Sequence, residues 1–186
     1  MGAGYLSGSI PFGLLFSRWL AGIDPRQTGS GNIGATNAMR AGGRKVGLFT
    51  LLADIAKGAL PVAATLPFGQ PIITATIGLS AVLGHLFPIW LKFHGGKGVA
   101  TMLGVLLAWQ PLAALAAGVT WLIIYRVSHY VSLASILASL VPPILLLANG
   151  HHLLEVSVSA TLSLLLIARH HANISRLLTG EEPKTQ

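Results

Sequence analysis

The sequence predicts an all-α integral membrane protein, a seven-transmembrane-helix bundle with its N-terminus outside and its C-terminus cytoplasmic. Three observations predict it. The composition is 53% hydrophobic and 9% charged, with a mean hydropathy of +0.70, whereas soluble domains carry about 25% charged residues. Apolar stretches near the length needed to cross a bilayer, about 20 helical residues, recur along the whole chain. Lys and Arg gather in short connections between those stretches, and alternate connections lack them. The 186 residues suit one membrane-embedded domain, 1–186.

Residues 3–22 form the first span, shortened by Arg18 and loosened by Gly8, Ser9 and Pro11. Residues 46–67 form the second and carry Asp54 and Lys57. Residues 71–91 form the third, with Pro71 suited to a helix start. Residues 98–125 are apolar but interrupted by Gln110-Pro111, which reads as two short helices, 98–109 and 111–125. Residues 131–148 and 150–168 complete the set. Helices of about 12 residues are ambiguous by length, so five crossings with a short re-entrant hairpin over 98–125 are the fallback. Seven leaves more backbone in ordinary helix.

Charge placement supports this threading. With the N-terminus outside, Arg26, Arg40, Arg44 and Lys45 fall inside, as do Lys92, Lys97, Arg126, Arg169, Arg176 and Lys184. The turns at 68–70, 110–111 and 149–152 fall outside and carry no Lys or Arg. Arg18 lies near the inner face, and Lys57 alone lies within a span. This is a positive-inside pattern, and five crossings give the same sidedness. The first apolar stretch lacks a basic leader and cleavage motif, so no signal peptide is expected. The net charge of +7 is explained by topology and anionic ligands, and no nucleic-acid partner is expected. The chain has no Cys, which excludes disulfides and thiolate chemistry. No fixed-period repeat is present. Small residues within spans, such as Ala75, Gly78 and Ala81, read as sites of close helix packing.

Four polar islands fall on one predicted face. The first is Gly29-Ser30-Gly31-Asn32-Ile33-Gly34-Ala35-Thr36-Asn37-Ala38-Met39-Arg40. Glycines let backbone N–H groups turn toward one centre, and converging N–H groups with a guanidinium make an anion site. The loop ends in no Gly-Lys-Ser/Thr and follows no strand, so it is neither a Walker loop nor a dinucleotide fingerprint. The second joins Gly84-His85-Leu86-Phe87-Pro88 to Gly95-Gly96-Lys97-Gly98-Val99-Ala100-Thr101. Glycines and Lys97 at a helix start suit phosphate. Lys92 reads as an interfacial anchor, and His85 is as compatible with packing as with function. The third runs from Arg126 to Ser135; Ser132 suits a helix cap or a ligand contact. The fourth is Arg169-His170-His171-Ala172-Asn173-Ile174-Ser175-Arg176. His170 and Asn173 share a helix face there, while Arg176 and Lys184 also suit a basic tail on anionic lipid. Asp54 and Lys57, three residues apart within a span, neutralise one another as a structural pair or as the floor of a pocket.

The five acids, Asp24, Asp54, Glu155, Glu181 and Glu182, form no carboxylate pair in a loop, so two-metal and Mg²⁺-diphosphate chemistry are not expected. No His precedes an Asp by four or five residues, and no Ser sits in a nucleophile elbow. Basic groups, amides and hydroxyls suit the binding of two anions and the stabilisation of developing negative charge. A phosphate or organic-anion transporter would share the basic site but often shows internal repeats. A CDP-alcohol phosphotransferase would need clustered aspartates.

Together the islands resemble the bacterial acyl-phosphate:glycerol-3-phosphate acyltransferases, the PlsY family. The matching stretches are Tyr5 to Pro11, Gly29 to Asn37, Asp54 to Gly58, Gly84 to Pro88, Gly95 to Thr101, Ser132 to Ile136 and Arg169 to Arg176. They run in order from end to end of the chain. Ile33 stands where many members have Pro, and Ser128-His129 lie in a variable part. The resemblance implies transfer of a fatty acyl group from acyl phosphate to the sn-1 hydroxyl of glycerol 3-phosphate, giving lysophosphatidic acid and phosphate. This would be the first acylation step of bacterial phospholipid synthesis, on the cytoplasmic side of the inner membrane, with neither metal nor cofactor. The soluble enzyme that makes acyl phosphate is an expected partner. On this reading the acyl-phosphate head group meets Ser30, Asn32, Gly34, Arg40, Lys97 and Ser132. Glycerol 3-phosphate lies nearer His170 and Asn173, with Asn37 between. His170, Asn173, Lys97, Arg40 and Ser30 are the candidate catalytic residues. Gly31, Asn32, Gly34, Thr36, Asn37, Gly95, Gly96, Ser132 and Ser135 are the candidate substrate-binding residues. The base is His170 or a substrate phosphate oxygen.

Overall fold

The computed structural model describes residues 1–185. Among these, ten α-helices are joined by short turns: α1 (Gly2–Ser9), α2 (Phe12–Ala21), α3 (Ala35–Gly42), α4 (Arg44–Ala63), α5 (Pro71–Leu86), α6 (Val99–Trp109), α7 (Pro111–Ser128), α8 (Val131–Ala148), α9 (Leu153–Arg169) and α10 (His171–Thr179). Four segments are long and apolar enough to cross a membrane: Arg44–Phe68, Pro71–Leu91, Pro111–Ser128 and Val131–Ala148. The pair α9 and α10, bent by 59°, makes a fifth when counted as one span. The break at Gln110-Pro111 falls where the sequence places it. The first expected span, 3–22, is instead two helices. Pro11 lacks an N–H and excludes helical backbone before it, and Ile10 is extended, with φ −61° and ψ 118°. The loop expected over 23–45 also contains α3.

The chain divides into two compact units, Met1–Ala108 and Trp109–Gln186. In the first, α1 packs on α5 and α4 through small residues. A Cβ at Gly8 would stand 1.9 Å from the Ala81 carbonyl oxygen, and one at Gly104 would stand 2.0 Å from that of Ile55. Dispersion at such close approach is what holds helices together where lipid is as apolar as the side chains. Ala75 and Ala81 are buried, and Gly78 faces Val105, in keeping with their expected packing role.

Prolines within helices free carbonyls that must find donors, because lipid offers none. Pro61 lies inside α4 and cannot donate to the carbonyl of Lys57, four residues earlier. Ser7 of α1 donates its hydroxyl there instead, at 3.0 Å. In the second unit, Pro143 inside α8 frees the carbonyl of Ser139, and Ser163 of α9 donates to it. Helix α7 shows its apolar surface: Leu112, Leu115, Val119, Leu122 and Ile123 are exposed. Their three- and four-residue spacing makes a stripe suited to acyl chains.

The break between α1 and α2 has a buried partner. The Lys57 ammonium lies 2.7 Å from Asp54 Oδ1 and donates at 2.8 Å to the carbonyl of Ile10, which also accepts from the Phe12 N–H at 3.1 Å. Asp54 Oδ1 also lies 3.7 Å from Nδ1 of buried His85. Of the two roles open to Asp54 and Lys57, these contacts supply the structural one. The pair ties α4 to the α1–α2 break and to α5.

Candidate active site

In the first unit the glycine-rich loop is wound around Asn37. This side chain is 2% exposed. Its amide donates to the carbonyls of Pro25 at 2.6 Å, Asn32 at 2.8 Å and Thr28 at 3.1 Å, and its Oδ1 accepts from the Ser30 N–H at 2.9 Å. Gly29, at φ +58°, has no room for a Cβ beside Asn37 Oδ1. Asn32 Oδ1 accepts from the Gly34 N–H at 2.8 Å, and the Gly31 N–H donates to Thr28. Asn37 therefore shapes the loop, and the N–H groups of Ser30, Gly31 and Gly34 are committed within it. The loop leads into α3, whose N-cap Gly34 offers no side-chain bond. Ala35 and Thr36 supply its first N–H groups, and Arg40 lies in its last turn. Ser30 and Gly31 are exposed on the loop surface, and Asn32 is half-buried.

The loop's lead-in is fixed by Asp24. Its carboxylate receives Arg26 Nη2 at 2.6 Å and Arg18 Nη2 at 2.9 Å, besides the Arg26 N–H at 3.0 Å. The Arg26 side chain, ahead of the opposing effect of burial, holds this carboxyl far below the usual carboxylate range. Arg18 and Arg26 are thereby committed to the loop's stem.

Gly95 and Gly96 serve packing. Their N–H groups close the end of α5, donating to the carbonyls of Leu86 and His85 at 3.2 and 3.0 Å. A Cβ on Gly96 would stand 2.0 Å from His85 Nε2. Close approach to a buried imidazole is what demands glycine here. Lys97 follows at once, half-buried and two residues before α6 begins. His85, backed by Asp54, thus forms the wall on which the Lys97 loop rests.

In the second unit His170 occupies the bend between α9 and α10 and is 2% exposed. Its Nδ1 lies 2.8 Å from the Leu166 carbonyl. A carbonyl only accepts, so Nδ1 carries the proton and Nε2 keeps the lone pair in the neutral ring. Asn173, one helical turn on, is also buried. Ser132, in the first turn of α8, does not cap it: its hydroxyl donates to Glu182 Oε1 at 2.6 Å. Ser135 accepts from Trp121 Nε1 at 3.0 Å and donates to the Val131 carbonyl at 2.7 Å, so its hydroxyl is committed to packing α7 on α8.

Glu182 is the residue that sequence reasoning missed. Its carboxylate takes the Ser132 hydroxyl, the Asn173 amide at 2.6 Å and Arg176 Nε at 2.7 Å. Arg176 is therefore ion-paired within the chain, with its side chain still 36% exposed. The one signal available was a Gly-Glu-Glu run just after a basic helix. Gly180, at φ +74°, turns the chain back, as left-handed helix ends do. The N–H groups of Glu181 and Glu182 then close on the Arg176 carbonyl at 2.8 and 3.1 Å. Burial raises the Glu182 pKa, but the bonds from Ser132, Asn173 and Arg176 outweigh it and hold the carboxyl below its ordinary range. The stability this confers is present above the ordinary glutamate range and is lost as pH falls through the depressed value.

The fold is all-helical, with helices long and apolar enough to cross a membrane, and its buried polar residues include Asn37, Asp54, Lys57, His85, His170 and Asn173. Comparison with known proteins narrows the class. The glycerol-3-phosphate acyltransferase family model matches residues 1–180. The glycerol-3-phosphate acyltransferase of Bartonella quintana (strain Toulouse) is 47% identical over 97% of this chain and 87% of its own. That of Myxococcus xanthus (strain DK1622) is 48% identical over 96% and 94%. Two crystal structures of PlsY, an integral membrane glycerol 3-phosphate acyltransferase, superpose over 98% of this chain and 92% of theirs. The glycerol 3-phosphate form has a TM-score of 0.94 at 42% identity, and the lysophosphatidic acid form 0.91 at 41%. The chain belongs to the glycerol-3-phosphate acyltransferase family, the PlsY type, and is a membrane enzyme of that family.

Proposed function

We propose that this enzyme takes its acyl group from acyl phosphate and delivers it to the sn-1 hydroxyl of glycerol 3-phosphate, the first acylation of bacterial phospholipid synthesis. The observation that carries the reading is the shared fold with an acyltransferase crystallised with glycerol 3-phosphate and with lysophosphatidic acid, an acceptor and the product of its acylation. The donor sets of each unit support it. In the first unit, the open start of α3 with Arg40, and Lys97 before α6, suit the compact charge of an acyl-phosphate head group; in the second, His170, Asn173 and Arg176 suit the acceptor.

Acyl phosphate is a mixed anhydride with a good leaving group. The hydroxyl oxygen attacks the acyl carbon, the carbon–oxygen bond to phosphate breaks, and inorganic phosphate leaves with the electron pair. The hydroxyl proton passes to His170 Nε2 or to a substrate phosphate oxygen. Alignment and neutralisation of phosphate charge supply most of the acceleration. Asn37, Gly95 and Gly96 act on this chemistry by shaping the loops that present Lys97, Arg40 and Thr36, and Ser135 by packing α7 on α8.

The positive-inside pattern supports a seven-crossing topology, with α1 and α2 as one broken span, the C-terminus cytoplasmic and the site facing the cytoplasm of the inner membrane. Acyl phosphate would then arrive from a soluble enzyme on that side. Donor choice is the test. With palmitoyl phosphate and palmitoyl-CoA offered separately at equal concentration, only palmitoyl phosphate supports 1-acylglycerol 3-phosphate formation. Preference for the thioester would overturn the donor assignment.

A further inference from the structure

The stem of the glycine-rich loop carries a charge that its own contacts do not cancel. Helix α2 turns an apolar stripe outward, and Leu15, Arg18 and Trp19 share that face at three- and four-residue spacing. Leu15 is exposed and Trp19 is 81% exposed. An exposed tryptophan closing an apolar stripe belongs at head-group depth, where its ring meets both hydrocarbon and water. Gly22, at φ +69°, then ends the helix, and Asp24, Pro25 and Arg26 follow within four residues.

The first unit has two acids, Asp24 and Asp54, and Asp54 is paired with Lys57. Asp24 alone faces both Arg18 and Arg26, so this group of two guanidiniums and one carboxylate keeps a net charge of +1. A guanidinium has five N–H donors. Arg18 gives one to Asp24, and Arg26 gives two besides its backbone N–H. The remaining donors have no partner among the described residues, and the two side chains stay 58% and 41% exposed. What touches this corner also reaches the loop. The Pro25 carbonyl, between Asp24 and Arg26, accepts from the Asn37 amide at 2.6 Å, and Asn37 is the side chain around which the loop is wound.

We propose that Arg18 and Arg26 bind the phosphodiester of an anionic phospholipid in the cytoplasmic leaflet, one non-bridging oxygen on each guanidinium, and that this contact steadies the loop that receives acyl phosphate. Leu15 and Trp19 bring lipid chains and head groups to the arginines, and anionic lipids of that leaflet attract surface cations. One singly charged phosphodiester matches the net charge of +1. Bound in this way, it ties α2 to the short turn Pro25–Gln27 that carries Arg26. The inference rests on the reaction and sidedness proposed above.

The experiment places the full-length enzyme in bilayers of phosphatidylcholine alone and of phosphatidylcholine mixed equally with phosphatidylglycerol. It reads the phosphatidylglycerol retained per protein by native mass spectrometry, and KM for palmitoyl phosphate. Arg18→Gln brings the group to zero net charge and leaves the bonds from Arg26 to Asp24 in place. Arg44→Gln with Lys45→Gln removes two exposed cations at the start of α4 and is the control. Surface charge alters the partition of palmitoyl phosphate equally for every variant, so the difference between variants isolates the site. Wild type and the control should retain phosphatidylglycerol that Arg18→Gln loses. The ratio of KM without phosphatidylglycerol to KM with it should be about fivefold larger for wild type than for Arg18→Gln, the effect of one basic residue at an anionic surface. Arg18→Lys keeps the charge and should recover part of that response. Asp24→Asn raises the group to +2 and should retain phosphatidylglycerol more tightly than wild type, even as its loop loosens. Equal retention and equal response in wild type and Arg18→Gln would overturn the proposal. A control that loses the response as fully as Arg18→Gln would trace it to total charge and overturn the site as well. Restoration of the response in pure phosphatidylcholine by soluble dimethyl phosphate would make the ligand a free anion, against the lipid assigned here. An inactive wild-type enzyme that still retains phosphatidylglycerol through Arg18 would overturn the proposed function and leave the lipid site standing.

Discussion

Replacing Asp54 by Ala lowers stability by about 3–5 kcal/mol, because it leaves the Lys57 ammonium buried without its counter-charge. The pair is 2–3% exposed at its side chains, so water cannot replace the lost partner. For a chain of this size that corresponds to a fall in thermal midpoint on the order of 10 °C, read in detergent by the loss of the monodisperse protein on heating. The loss should also spread along the chain of contacts. Lys57 would no longer be held beneath Ile10, so the α1–α2 break loosens. His85 would lose the carboxylate behind it, so the Lys97 loop loses its wall. The double variant Asp54→Leu with Lys57→Met removes both charges and should recover much of the stability, short of wild type because the Ile10 carbonyl loses its charge-assisted bond and keeps only the Phe12 N–H. An Asp54→Ala protein that melts with wild type would contradict the structural role.

Lys97→Ala should reduce kcat/KM by roughly 100- to 1000-fold, the usual consequence of removing one preorganised donor from a developing negative charge. The fall should lie mostly in kcat, since the interaction strengthens as phosphate leaves. Lys97→Arg keeps the charge but not the reach of an ammonium on a flexible stem, and should recover only part. Lys92→Ala is the matched control: it removes an exposed cation five residues earlier and should leave kinetics unchanged. Near-wild-type turnover by Lys97→Ala would remove Lys97 from the phosphate site.

Much of the candidate site was legible because its signals are local. A glycine-rich run with amides and an arginine, Gly-Gly-Lys-Gly at a helix start, and His170 and Asn173 on one helical face can each be read within a dozen residues. What was not legible depends on partners far apart in sequence. Asn37 looked like a ligand group, yet its amide is committed to the carbonyls of Pro25, Thr28 and Asn32, which only the folded loop brings to it. Gly95 and Gly96 looked like donors to phosphate, but closeness to His85 is what requires them. The break at Ile10-Pro11 read as a loosened single span because its stabilising donor, Lys57, lies 47 residues away. Glu182 meets Ser132 across 50 residues, and no periodicity announces such a contact. Membrane helices compound the difficulty, since α6 and α9 fall short of the 18-residue apolar length shown by α7 and α8.

The proposed reaction is acyl transfer from acyl phosphate to glycerol 3-phosphate by this chain alone. The most direct measurement incubates the purified protein with palmitoyl phosphate and labelled glycerol 3-phosphate, with and without EDTA. Lysophosphatidic acid and inorganic phosphate should appear in equal amounts, at the same rate in both arms, and neither should appear when glycerol 3-phosphate is omitted. Phosphate release without labelled lipid, or activity abolished by EDTA, would contradict the account.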